Sequence, residues 1–143
     1  MELLQLQLDA KNKLVNRYVH FGDHSFFHYS IQNKDDLVKR YNELMERTFP
    51  RKALANHIQE YMSKFSMTKP IERNLQKLED ENSVVVIGGQ QAGLLTGPLY
   101  SIHKMISIVL LAKQQEAFLQ KPVVPVFWVA GEDHDIQEVN HVF

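Results

Sequence analysis

The sequence has 143 residues, 44% hydrophobic and 23% charged, with six glycines and five prolines, the make-up of a compact globular domain rather than a disordered tail. Sixteen basic against seventeen acidic residues leave a net charge of -1, so no field of one sign points to nucleic acid or an anionic membrane, and small polar molecules are the expected partners. The absence of cysteine excludes a disulfide framework, a thiolate metal site and a cysteine nucleophile, and without a basic, then apolar leader or a run of roughly eighteen apolar residues a soluble, cytoplasmic chain is expected.

The periodicity changes near residue 82, dividing a mostly helical segment, 1–82, from the start of a core domain, 83–143. Phe26, Phe27, His28 and Tyr29 form an aromatic cluster expected to pack against the helices. His20, His24 and His57 have no convergent partners in sequence. From Lys34 to Phe49, the residues Leu37, Val38, Tyr41, Leu44 and Met45 fall at helical spacing, with Asp36/Arg40 and Glu43/Arg47 as four-apart pairs on the polar side. Pro50 suits a first helical turn, and Leu54, Ile58, Tyr61, Met62 and Phe65 make the next apolar stripe. Thr68 and Pro70 open a third helix with Ile71, Leu75 and Leu78 on its buried face, and Glu79 to Ser83 form a polar connection.

The β-branched run Val84 to Ile87 predicts a central, parallel strand covered on both faces. From Pro98 to about Gln120 a helix follows, with Leu99, Ile102, Met105, Ile106, Val109, Leu110 and Phe118 placed to pack on the sheet, and Gln120-Lys121-Pro122 stops it. Val123 to Ala130 is a second strand whose Pro125 requires an edge, a bulge or a strand start. The fold class is therefore α/β, with N-terminal helices followed by the first right-handed βαβ unit of a parallel sheet.

Ligands of such sheets bind beyond the carboxyl ends of the strands, where two unusual segments lie. Gly88, Gly89, Gln90, Gln91, Gly93, Thr96 and Gly97 belong to a glycine-rich loop leading into a helix start, which favours an anion such as phosphate or carboxylate; the alternative is a tight turn without a ligand. Gly88 and Gly93 have P-loop spacing, but Leu94 and Leu95 stand where lysine and a hydroxyl residue belong. A dinucleotide G-x-G-x-x-G is absent too. The second segment, Glu132, Asp133, His134 and Asp135, crowds three carboxylates and an imidazole. Crowding of this kind suits a general base, a grip on an ammonium or hydroxyls, or Mg²⁺ ligation with nearby His141. No standard ligand spacing is present, so no metal ligand is assigned. The structural alternative is a cap, Asp133 or Asp135 holding the first turn of a helix from Ile136 to His141.

The run Gly97-Pro98-Leu99-Tyr100-Ser101-Ile102-His103-Lys104 resembles the G-P-x-H-x-G-H signature of class I synthetases and nucleotidylyltransferases. That resemblance implies that His103 stabilises phosphate charge as an adenylate forms, with Tyr100 replacing the first histidine and His103 falling one residue late. Lys104 is either a phosphate contact or a solvated charge.

The strings VVVIGGQQAGLLTGPLYSIHK and VPVFWVAGEDHDIQEVNHV, with SFFHY and FPRKALANHIQEYMSKF upstream, resemble the cysteine-adding enzymes of bacillithiol synthesis over nearly the whole chain. The resemblance implies a Rossmann-like, nucleotidylyltransferase-like core, continued in the complete enzyme into a coiled coil that makes a homodimer. It also implies ligation of the cysteine carboxyl to the amine of glucosaminyl-malate. Amide formation needs an activated acyl group, so adenylation, with ATP or ADP as cofactor, is the natural route. On this reading His103, Asp133 and His134 are catalytic. Tyr100, Lys104, Glu132 and Asp135 join the glycine loop in binding substrate, and the 143 residues alone are an inactive fragment. The alternative is a nucleotide- or sugar-acid-binding module whose catalytic residues lie elsewhere.

Overall fold

The structure, a computed structural model, describes residues 12–21, 25–30 and 33–132. The chain packs as two compact units, Met1–Arg47 and Thr48–Phe143.

The first unit contains helices α1 (Lys13–Phe21) and α2 (Lys34–Met45). Both begin on an asparagine side chain: Asn12 Oδ1 accepts from the Leu14 amide at 2.9 Å, and Asn33 Oδ1 from the Asp35 amide at 3.0 Å. Of the aromatic cluster, Phe27 stacks on Tyr18 with ring centroids 4.2 Å apart, whereas Phe26 and His28 are exposed. Tyr29 donates its hydroxyl to Glu43 Oε2 at 2.6 Å, and Arg40 and Arg47 each reach Glu43 at 2.7 Å. The expected Asp36/Arg40 pair is not made. Asp36 is buried instead, accepts from the Ser30 amide at 3.0 Å and pairs with Lys39 at 2.9 Å, because capping the turn before α2 satisfies more of a buried carboxylate than a surface arginine would.

The second unit runs α3 (Arg51–Met62), α4 (Lys69–Glu79), β1 (Val84–Gln91), a 3₁₀ turn (Leu94–Thr96), α5 (Leu99–Leu119) and β2 (Val123–Ala130). β1 and β2 are parallel, Val84 opposite Val123 through Gln91 opposite Ala130. Val124 of β2 packs with Ala55 of α3 and Leu78 of α4, flanked by Ile58 and Val126. Arg51 ties the start of α3 to buried Ser83 at 2.7 Å, and Lys77 of α4 pairs with Glu116 of α5 at 2.6 Å. Leu54, Tyr61 and Phe65, expected on the buried stripe of α3, are exposed, because the face that meets α4 is centred on Ala55.

α5 covers the other face of the sheet with small residues. Ser101 and Ala112 are buried, whereas Leu99, Ile102, Ile106, Val109, Leu110 and Phe118, expected against the sheet, are exposed. A helix apolar on every side gives periodicity nothing by which to choose a face, and close approach to the strands selects short side chains. Gln120, in the left-handed region at φ 54°, closes the helix by donating its amide to the Glu116 carbonyl at 3.0 Å.

The expectation of a doubly covered central strand is corrected. Among the described residues β1 has one neighbour, and Val85 and Ile87 on its second face are exposed. Pro125 sits inside β2 without a bulge, opposite Val86. The Val84 amide donates to the Pro122 carbonyl and the Ala92 amide to the Ala130 carbonyl, so by parallel alternation the even-numbered residues of β2 face β1 and the Pro125 nitrogen faces the outer edge.

The hydrogen bond from Tyr29, followed by those from Arg40 and Arg47, holds the Glu43 carboxyl below its ordinary 4.5 at about 2. A folded-state value below the unfolded one stabilises the fold fully above pH 4.5, and that contribution is lost as pH falls through 2. Glu43→Gln should therefore flatten the acid limb of melting temperature against pH in this window. Equal slopes for the variant and the parent would refute the assignment.

Candidate functional site

Gly88, Gly89, Gln90 and Gln91, expected in a loop, continue β1, and the connection proper spans 92–98. The first two glycines answer to packing. A Cβ on Gly88 would lie 2.5 Å from Ile108 Cδ1 of α5, and one on Gly89 would lie 2.7 Å from the Trp128 carbonyl oxygen across the ladder. The strand thus carries both glutamines out to the rim of the sheet.

Beyond the rim the chain turns tightly. Leu95, Thr96 and Gly97 are left-handed in succession, at φ 50°, 79° and 76°. A Cβ on Gly93 would stand 2.6 Å from the Gly97 Cα, so the two ends of the turn touch. α5 then starts after Pro98 with no side chain capping it, which leaves its positive end available to a negative group.

An open cleft of about 490 Å³ lies beside this helix start, lined by Gly88, Gly89, Tyr100, His103, Lys104, Ser107 and Ile108. Lys104 Nζ donates to Gln90 Oε1 at 2.7 Å and to the Gly89 carbonyl at 3.4 Å, and sits 5.8 Å from the centroid of the Tyr100 ring. Gln90 Nε2 in turn donates to the Tyr100 hydroxyl at 3.3 Å. An ammonium held by neutral oxygens alone keeps its charge for an incoming anion, and the imidazole of His103 can donate or accept a proton beside it.

The structure therefore gathers Gly88, Gly89, Gln90, Tyr100, His103 and Lys104, while Gly93, Thr96 and Gly97 form the adjoining turn. Gln91 ends β1 opposite Ala130. Glu132 is exposed just past β2. Asp133, His134 and Asp135, with His141 and the capped helix expected there, lie outside the described residues. Among the described residues no three His, Cys, Asp or Glu side chains converge as metal ligands, and no helix is long and apolar enough to cross a membrane. Sequence reasoning missed Ser107 and Ile108, although each stands four residues beyond a named cleft residue on the same helix.

Gly89→Ala must push against main chain, whereas Gly88→Ala meets the mobile end of Ile108. The expected loss on denaturant unfolding is about 1–3 kcal/mol for Gly89→Ala and clearly less for Gly88→Ala. The reverse order would contradict the packing described.

Comparison with known proteins agrees with the fold and extends it. The family model described as "Bacillithiol biosynthesis BshC, N-terminal Rossmann-like domain" matches residues 1–143. The chain is similar to proteins named "Putative cysteine ligase BshC": 47% identical over 145 residues in Bacillus pumilus, covering 100% of the chain and 27% of that protein. In Bacillus velezensis the identity is 49% over 144 residues, covering 99% and 26%. In Halalkalibacterium halodurans it is 51% over 140 residues, covering 96% and 26%. The chain spans about a quarter of the length of these curated relatives.

Proposed function

Because the chain belongs to the family of N-terminal Rossmann-like domains of bacillithiol biosynthesis BshC, we propose that it supplies the substrate cleft of a cytoplasmic ligase that joins the cysteine carboxyl to the amine of glucosaminyl-malate. The observation that carries this reading is the convergence of Tyr100, His103 and Lys104 on one cleft at the end of β1 and the start of α5.

In this reading the α5 start and Lys104 seat an anionic oxygen, and the Gln90 amide keeps Lys104 and Tyr100 in place. An activated acyl group is required for amide formation, and a nucleotide supplies that activation when bound. The residues present suit its phosphates: an uncapped helix end, a lysine whose ammonium meets neutral oxygens, and a tight left-handed turn closed beside that helix end. His103 moves a proton at the reacting group or steadies phosphate charge.

A second reading, a nucleotide- or sugar-acid-binding module, is favoured by one feature: no carboxylate lines the cleft among the described residues. His103→Ala separates the two. In a protein of the relatives' full length carrying this domain, assayed with cysteine, glucosaminyl-malate and ATP, the ligase reading expects kcat to fall by about a hundredfold with KM little changed. A rise in KM at unchanged kcat would assign His103 to binding alone. The 143-residue chain, run beside it, is expected to form no bacillithiol, and turnover by it would refute the dependence on further sequence.

The turn itself is tested with Gly93→Val, whose side chain occupies the space beside the α5 start whether or not Gly97 gives way. Calorimetry on the folded variant should show at least about tenfold weaker anion binding. Undiminished affinity would sink the anion seat at this turn.

A further inference from the structure

We propose that Ser101 is an anion-binding residue, its hydroxyl donating to a carboxylate or phosphate oxygen seated at the start of α5 once the Leu95 to Gly97 segment moves off it. This inference rests on the anion reading of the turn and adds to it a donor and a motion.

Ser101 is only 3% exposed, and its Oγ has no hydrogen-bond partner. A buried hydroxyl left unpaired costs free energy that water would otherwise recover, and nearly all such groups in folded proteins are satisfied. Its position shows what could satisfy it. Ser101 is the third residue of a 21-residue helix whose N-terminus no side chain caps, and its Oγ lies 3.5 Å from where a Cβ on Gly97 would stand. The hydroxyl is thus directed at the turn that meets the positive end of the helix, where an anionic oxygen is favoured.

The turn that brings Gly97 beside Ser101 carries a cost of its own. Leu95 and Thr96 hold φ of 50° and 79°, a region costly for a leucine and more so for a β-branched threonine. Leu95 is 83% exposed, so little packing of its side chain holds the segment down. One movement relieves both costs: Leu95 to Gly97 rolls away, the two strained residues relax, and the Ser101 hydroxyl gains an acceptor. The closed turn is then a resting state that the anion opens.

The test titrates the 143-residue chain and its Ser101→Ala variant with inorganic phosphate and with L-malate, following backbone amide resonances and, separately, melting temperature. Because the hydroxyl has no internal partner, Ser101→Ala should melt at or above the parent temperature. Its dissociation constant for the anion that the parent binds should rise about tenfold, and in the parent the resonances of Leu95, Thr96 and Gly97 should shift on saturation. Binding of phosphate alone identifies a phosphate seat, and binding of malate alone a carboxylate seat; each supports the proposal. A variant that binds within twofold of the parent overturns the role of Ser101 while leaving the anion seat standing. A parent that binds neither anion overturns the seat and the proposal together. A variant that melts several degrees lower reveals an internal partner for the hydroxyl and overturns the argument from its isolation.

Discussion

The second unit depends on the parallel pairing of β1 with β2. Parallel strands cannot be joined by a hairpin, so the chain has to leave the end of β1, cross over the sheet and return, and the 21-residue α5 is that crossing. The register places Gln91 beside Ala130, which puts both carboxyl ends on one rim. Every cleft residue named here inherits its place from that rim. Gly88 and Gly89 lie on the last stretch of the ladder, and Tyr100, His103 and Lys104 on the first turns of the helix that leaves it.

Close approach is the second constraint, and it explains which residue types recur. Gly88 lets α5 settle against β1, Gly89 leaves room for the Trp128 main chain, and Gly93 lets the connection fold back on Gly97. The buried positions of α5 are short for the same reason, Ser101 and Ala112 rather than its leucines and isoleucines. A serine chosen for its size brings a hydroxyl with it, and in this setting the hydroxyl is left without an acceptor.

Much of this was legible in the sequence. The βαβ order, the Val123 to Ala130 strand, the stop at Gln120 and the concentration of candidate residues at the strand end all follow from local pattern, because each rests on short-range chemistry. What failed did so where pattern is silent about neighbours. The run from Val84 to Ile87 is apolar throughout, and nothing in it says that Val85 and Ile87, on the face away from α5, are left exposed. Gly88 and Gly89, expected in an anion-binding loop, are clearance inside a strand, since a missing side chain looks alike in both roles. The α1 helix went unread although Asn12 stands ahead of it as a cap. Asp36 pairs with Lys39 rather than Arg40 because its carboxylate turns back to cap the Ser30 amide six residues earlier, a contact that helical spacing does not reveal.

Pro125 gives the two sides of the sheet different fates in a crowded solution. A strand approaching the outer side of β2 meets a ring where an amide hydrogen should be, so any ladder zipped along that side has a gap at its middle. On the outer side of β1 the main-chain groups of Val85, Ile87 and Gly89 point outward with no proline among them. Recruitment of a further strand is therefore polarised towards β1, while the β2 flank resists the edge-to-edge sticking by which bare sheets aggregate.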